Sequence, residues 1–317
     1  MTPMPALAIV ALCASHAVPS FTAPAFAQST PPAATAPESP AKPTRKDLER
    51  AAERGDTSAM YQLGLLAEVE GDHANASKQF RLASEKGDAR AMTRYAYLLS
   101  YGLGTPRDEA AAASWYRRAA ELGEAEAMSN LGLMLANGRG VAQNDSEAVE
   151  WYRRSAEKGN AAGMFNLGSM YARGRGVAQS DAEAFTWYTR AAEKKNAPAM
   201  NNLGEMYANG RGVAADEAKA VEWYTRAADA GSAEAMCNLA LAYAQAKGIA
   251  RDLPEAHFWA SLAAASGSGE PRTRGEQLTK RLAAQIPAEK TAESRARVTK
   301  WIAARAVPIS GGSPTKP

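Results

Sequence analysis

Side chains suited to covalent or metal chemistry are few in this chain and badly spaced for it. Ser155-Ala-Glu-Lys158 is a Ser-x-x-Lys string, the pairing used by serine β-lactam enzymes. That chemistry also needs Ser-Asp-Asn and Lys-Thr-Gly elements, and neither string occurs. Ser155 stands in register with Ala119, Ala191 and Ala227, a small-residue slot that reads as packing. His73 and His257 have no ligand-spaced partner, so neither a metal centre nor a cofactor is expected. Gly138-Arg-Gly140, Gly174-Arg-Gly176 and Gly210-Arg-Gly212 invite a phosphate-loop reading. A phosphate loop follows a strand, whereas the flanks here are helical in pattern. Their central residues, Arg139, Arg175 and Arg211, read as a solvated basic edge, with a partner-docking stripe as the alternative. Cys237 has no cation beside it in sequence to activate it and reads as a small helical residue.

What the chain has instead of a catalytic constellation is a period. Met92, Met128, Met164, Met200 and Met236 are spaced by 36 residues, and Met60 precedes them by 32. Each methionine opens the same sequence of features. A small residue follows four positions on (Gly64, Ala96, Gly132, Gly168, Gly204, Ala240), and in the middle copies come a glycine-rich loop and a Trp-Tyr pair. Met164, Leu167, Met170 and Tyr171 share one helical face, Gly174 and Gly176 end that helix, and Asp181-Ala-Glu-Ala begins a second. Each unit is therefore a helix-turn-helix hairpin whose apolar face is buried only by stacking on its neighbours. Trp115, Trp151, Trp187, Trp223 and Trp259 are expected to be the buried studs of that stack. The recurrent small residue implies close helix packing at one slot.

Residues 1–27 carry no Lys, Arg, Asp or Glu and end in Ala25-Phe26-Ala27, so they are expected to be a cleavable signal peptide. Residues 28–43, rich in Pro and Ala, are expected to be a linker, and 306–317 a disordered tail. Between them, 44–268 reads as a half repeat plus six repeats starting near 59, 91, 127, 163, 199 and 235, with capping helices over 269–305. Pro287 fits a first helical position in the second of these. The net charge of +3 gives little reason to expect nucleic acid. No membrane span is expected after signal cleavage, and the chain is expected in the periplasm or outside the cell.

The pattern L-G-x-x-Y, G-x-G-V, A-x-x-W-Y-x-x-A-A, repeated over about Met60 to Gly267, resembles the Sel-one-like repeat, a relative of the tetratricopeptide repeat. The resemblance implies an all-α, right-handed solenoid that is not an enzyme and binds a protein or peptide as an adaptor or regulator in the cell envelope. Some exported relatives are described as β-lactam-binding, which leaves a weak hydrolase as one alternative; a secreted effector acting on a host protein is another. By analogy with tetratricopeptide solenoids, the residue before each Leu-Gly pair points into the concave groove. Here that slot holds Asn130, Asn166, Asn202 and Asn238, with Arg94 in the second repeat. Carboxamides offer both a donor and an acceptor to an extended backbone. Arg90, Arg94 and Arg173 are expected to anchor acidic groups, and Phe165 to add an apolar contact. The alternative is that the asparagines bond to the adjoining repeat and set its stacking.

Overall fold

The computed structural model describes residues 43–305, so the expected signal peptide and tail, and all but the last residue of the expected linker, lie outside it. The described residues form fifteen helices and no strand. A short α1 (Arg45–Glu53) precedes the pair α2 (Thr57–Val69) and α3 (His73–Glu85). Five further pairs follow: α4 (Ala89–Tyr101) with α5 (Glu109–Glu121), α6 (Ala125–Asn137) with α7 (Asp145–Glu157), and α8 (Ala161–Arg173) with α9 (Asp181–Glu193). Then come α10 (Ala197–Asn209) with α11 (Glu217–Asp229), and α12 (Ala233–Gln245) with α13 (Leu253–Ser266). Finally α14 (Gly269–Ala283) packs on α12 and α13, and α15 (Ala288–Arg305) packs on α13. None of these helices is long and apolar enough to cross a membrane.

The period has a simple construction. Two 13-residue helices, a seven-residue loop such as 138–144 and a three-residue turn such as 158–160 make 36 residues. The first pair has a three-residue turn in place of the loop, which accounts for its step of 32. Caps fix these boundaries. Asp108, Asn144, Ser180, Asp216 and Asp252 each accept a backbone N–H in the first turn of the second helix of a pair. Gly102, Gly138, Gly174 and Gly210 end the first helices in the left-handed conformation.

Packing within each pair rests on the tyrosine of the Trp-Tyr pair rather than the tryptophan. Tyr116, Tyr152, Tyr188 and Tyr224 are all buried. For Tyr152, Tyr188 and Tyr224 the recurrent glycine gives the ring its place. A Cβ on Gly132 would meet the Tyr152 ring at 2.7 Å, and one on Gly168 would meet Tyr188 at 2.9 Å. In the last pair the tyrosine slot holds Ala260 and the glycine slot holds Ala240. The tryptophans correct the sequence expectation. Trp115, Trp187 and Trp223 are only partly buried, while Trp151 and Trp259 are nearly covered. Arg118, Arg154, Arg190 and Arg226 lie over the faces of Trp115, Trp151, Trp187 and Trp223 at 4.3–4.8 Å. Adjacent positions on a helix point about 100° apart, so only one member of each pair can face the partner helix squarely.

The loops couple one pair to the next. Gly140, Gly176, Gly212 and Gly248 lie against the backbone of Glu109, Asp145, Asp181 and Glu217, close enough that any Cβ would overlap a carbonyl oxygen. Beside them, Arg139 pairs with Glu109 at 2.8 Å, Arg175 with Asp145 at 2.7 Å and Arg211 with Asp181 at 2.6 Å. Each arginine reaches the start of a helix 30 residues earlier. The loop arginines are therefore inter-repeat ties as well as an edge that is partly open to solvent at Arg139 and Arg175 and exposed at Arg211. The Arg175 guanidinium holds the Asp145 carboxyl below its usual range, and Arg107 with Arg139 does the same for Glu109.

Candidate partner-binding face

The first helix of each pair carries one row of side chains, which touches the second helix where Ser169 lies 3.1 Å from the Tyr188 hydroxyl. In α6, α8, α10 and α12 the row starts at Asn130, Asn166, Asn202 and Asn238, and continues three and seven residues on, positions that share a helix face. At the C-terminal end this face is concave. A cavity of about 400 Å³ opens there, lined by Glu205 and Asn209 of α10, Asn238 and Leu241 of α12, and Arg274 of α14.

The asparagine row divides into two kinds. Asn166 donates to the Ser129 hydroxyl at 3.4 Å, and Asn238 donates to the Asn201 carboxamide oxygen at 3.0 Å and to Glu205 at 3.4 Å. Each acceptor in the first two bonds lies 37 residues earlier, on the preceding repeat, so these two asparagines set stacking. The corresponding residues for Asn130 and Asn202 are Thr93, whose hydroxyl is donated to the Ala89 carbonyl, and Phe165, which has no polar group. Asn130 and Asn202 are half-buried and make no side-chain hydrogen bond to other described residues. Partnered and open carboxamides thus alternate along the row.

The charged candidates fare differently. Arg90 is engaged by Asp88 at 2.7 Å and lies over the Tyr61 ring at 4.6 Å. Arg94 is half-buried near Glu126 and Glu68. Burial opposes its charge, but those carboxylates outweigh it and hold the guanidinium's pKa up. Burial also pushes the Glu68 carboxyl up, against the pull of Arg94. Arg90 is thus engaged by a carboxylate of the chain itself, whereas Arg94 has Glu126 and Glu68 near it without an ion pair within 4 Å. Arg173 is exposed at the end of α8 and has no carboxylate partner among the described residues. Phe165 packs against Tyr188 with ring centroids 5.8 Å apart, so it belongs to the repeat interior at least as much as to the face.

Sequence reasoning did not single out Tyr97, Tyr101 and Leu133, exposed on the same faces of α4 and α6, or Arg274 on the capping helix. The available signal was irregularity: the slot three residues after the asparagine holds Tyr97, Leu133, Ser169, Glu205 and Leu241, a variety that packing alone does not dictate.

Three of the residues considered for enzyme chemistry, Ser155, His257 and Cys237, are buried. Ser155 is fully buried and donates to the Ala125 carbonyl at 2.7 Å. His257 is fully buried in α13, and burial depresses its pKa; His73 is exposed on α3. The buried Cys237 thiol, its pKa raised by burial, faces the Pro271 carbonyl. No cluster of three or more His, Cys, Asp or Glu suited to a metal exists among the described residues.

The crystal structure of a Sel1 repeat protein from Oxalobacter formigenes is 29% identical, covers 81% of this chain and 99% of that one, and superposes with a TM-score of 0.65. A protective antigen of uropathogenic Escherichia coli strains with an SLR fold is 25% identical over 86% of this chain and 76% of that one, with a TM-score of 0.35. The immunity protein Pa5087 of Pseudomonas aeruginosa is 20% identical over 73% of this chain and 83% of that one, with a TM-score of 0.45. No curated protein matches the chain in sequence. The Sel1 repeat pattern matches at 89–124, 125–160, 161–196, 197–232 and 233–268, each match starting at the first residue of a first helix. The pair α2–α3 lies outside those matches yet continues the stack. With five consecutive matches spanning more than half its length, the chain belongs to the Sel1 repeat family.

Proposed function

We propose that this protein is a non-enzymatic, exported scaffold that binds a protein or peptide along the first-helix face, acting as an adaptor or regulator in the cell envelope. The observation that carries the reading is the alternation of Asn130 and Asn202, open and half-buried, with Asn166 and Asn238, already bonded to the preceding repeat. The Asn130 and Asn202 carboxamides stay open to solvent, and an extended backbone can meet them with its own N–H and C=O groups. Repeat solenoids use such extended surfaces for partners. Export rests on residues 1–27, and fractionation of cells expressing the full chain distinguishes periplasm from medium.

The contrast within the row supplies the test. The Asn130→Ala, Asn202→Ala double variant is expected to weaken capture of a partner from envelope extract about tenfold or more with its melting temperature unchanged. The Asn166→Ala, Asn238→Ala variant is expected to melt lower, by about 1–2 kcal/mol for two inter-repeat hydrogen bonds. Equal loss of stability in both variants would assign the whole row to stacking.

A further inference from the structure

Seven large hydrophobic side chains are exposed among the described residues, and five of them lie on α2, α4 and α6: Leu66, Val69, Tyr97, Tyr101 and Leu133. Concentration of exposed apolar residues on consecutive first helices marks an interaction surface, because scattered exposure is the norm. The Tyr97 and Tyr101 rings meet at a tilt of 46° with centroids 4.7 Å apart, and Tyr101 is 55% exposed. Around them the charge is lopsided. Glu126 is exposed and Glu68 half-buried, both lie near Arg94, and Glu68 also lies near Tyr97. Yet neither carboxylate has a basic group within 4 Å, unlike Glu70, Glu109 and Glu147, which are all ion-paired. Two carboxylates outside any ion pair against the Arg94 guanidinium give this part of the face a negative excess, beside two aromatic rings, of which Tyr101 also has Arg139, itself paired with Glu109, 5.9 Å from its centre.

We propose that the face of α2, α4 and α6 docks a partner segment carrying a basic side chain flanked by apolar residues. The cationic head lies at Glu68 and Glu126, and its alkyl stem rests on Tyr97 and Tyr101. The match is one of charge and shape. An ammonium or guanidinium gains both from carboxylates and from aromatic faces. A long alkyl stem covers tyrosine rings while the head stays with the acids, and apolar neighbours fall on Val69 and Leu133. An acidic segment would meet the carboxylates of Glu68 and Glu126, with Arg94 and the His73 ring as the basic groups near them. This inference rests on the reading of the first-helix face as the binding face and specifies what that face selects at its N-terminal end.

The test uses the full-length chain and two fluorescein-labelled dodecapeptides read by anisotropy at low salt, one alternating leucine with lysine and the other leucine with glutamate. The lysine probe is expected to bind at least about tenfold tighter than the glutamate probe. The Glu68→Gln, Glu126→Gln variant is expected to lose about tenfold of that affinity, whereas Arg94→Gln, which removes the competing like charge, is expected to gain several-fold. A gain in affinity cannot come from misfolding, so the pair of variants separates recognition from stability. Equal or preferred binding of the glutamate probe overturns the inference. So does unchanged binding by the Glu68→Gln, Glu126→Gln variant: if Asn130→Ala, Asn202→Ala still abolishes binding in that case, the first-helix face stands and only its preference for a basic segment falls. If neither double variant changes the lysine probe's affinity, both readings fall. If neither probe binds, the basic-segment inference falls, and the face itself is judged by the capture experiment.

Discussion

Replacing Tyr188 with alanine is expected to destabilise the repeat stack by about 3–5 kcal/mol, the cost of emptying a fully enclosed aromatic site. Thermal unfolding followed by circular dichroism should show the loss as a fall of roughly 10 °C in melting temperature. The neighbouring Trp187→Ala is expected to cost less, about 1–2 kcal/mol, because Trp187 is only partly buried and much of its contact is with Arg190 over its face. The order of the two losses is the informative result. Tyr188 is 4% exposed and its ring occupies the space that Gly168 leaves free. A larger effect from Trp187 would mean that the tryptophan, and not the tyrosine, holds each pair together. Filling the same space from the other side, with Gly168→Val, should be similarly harmful for the opposite reason, since the added carbons have nowhere to go.

Gly176→Ala is expected to cost about 2–5 kcal/mol, an unusual penalty for one added methyl group. Two effects combine. Gly176 has φ +65°, a conformation that L side chains adopt reluctantly. Its missing Cβ also lies against the Asp145 carbonyl at the start of α7, one repeat back. Gly174→Asn, two residues earlier, makes the control. Gly174 has φ +64°, but asparagine tolerates the left-handed region, and a Cβ there meets the Gln179 Cβ at 3.1 Å and its backbone at an ordinary contact of 3.5 Å. About 1 kcal/mol or less is expected. Because stability in a solenoid is a sum of unit and interface terms, Gly176→Ala should also broaden or split the transition, uncoupling the repeats on either side. A single sharp transition at the wild-type temperature would contradict the role given to this loop.

Much of this was readable from residue types and spacing, and the part that was not has identifiable physical causes. The methionine period, the glycine loops and the acidic starts of the second helices specify a stack of helix pairs, because each feature acts locally on the backbone. The small slot at Gly132, Gly168 and Gly204 announced a close contact, but its partner lies 20 residues away. Two adjacent aromatics qualify, and only the packing angle chooses Tyr152 over Trp151. The loop arginines look solvated in sequence because their acids lie 30 residues earlier, a distance set by stacking. The same applies to the candidate face. Whether an asparagine in the row is open depends on the residue 37 positions before it, a serine or asparagine in two cases and a threonine or phenylalanine in the others. Lys195 shows the limit of motif reading in the other direction. It replaces the turn glycine of its neighbours and still has φ +63°, so the stack imposes a conformation that the residue alone disfavours.

The most direct test of the central claim is site-specific photocrosslinking in cells. A benzophenone side chain would be placed at Asn202 on the first-helix face, or at Glu222, exposed on α11. The account predicts that a discrete envelope partner crosslinks from position 202, that position 222 yields none, and that the Asn130→Ala change weakens the product without lowering the melting temperature. A partner that crosslinks only from position 222 would place recognition on the second helices and contradict the claim that the first-helix face is where this protein binds.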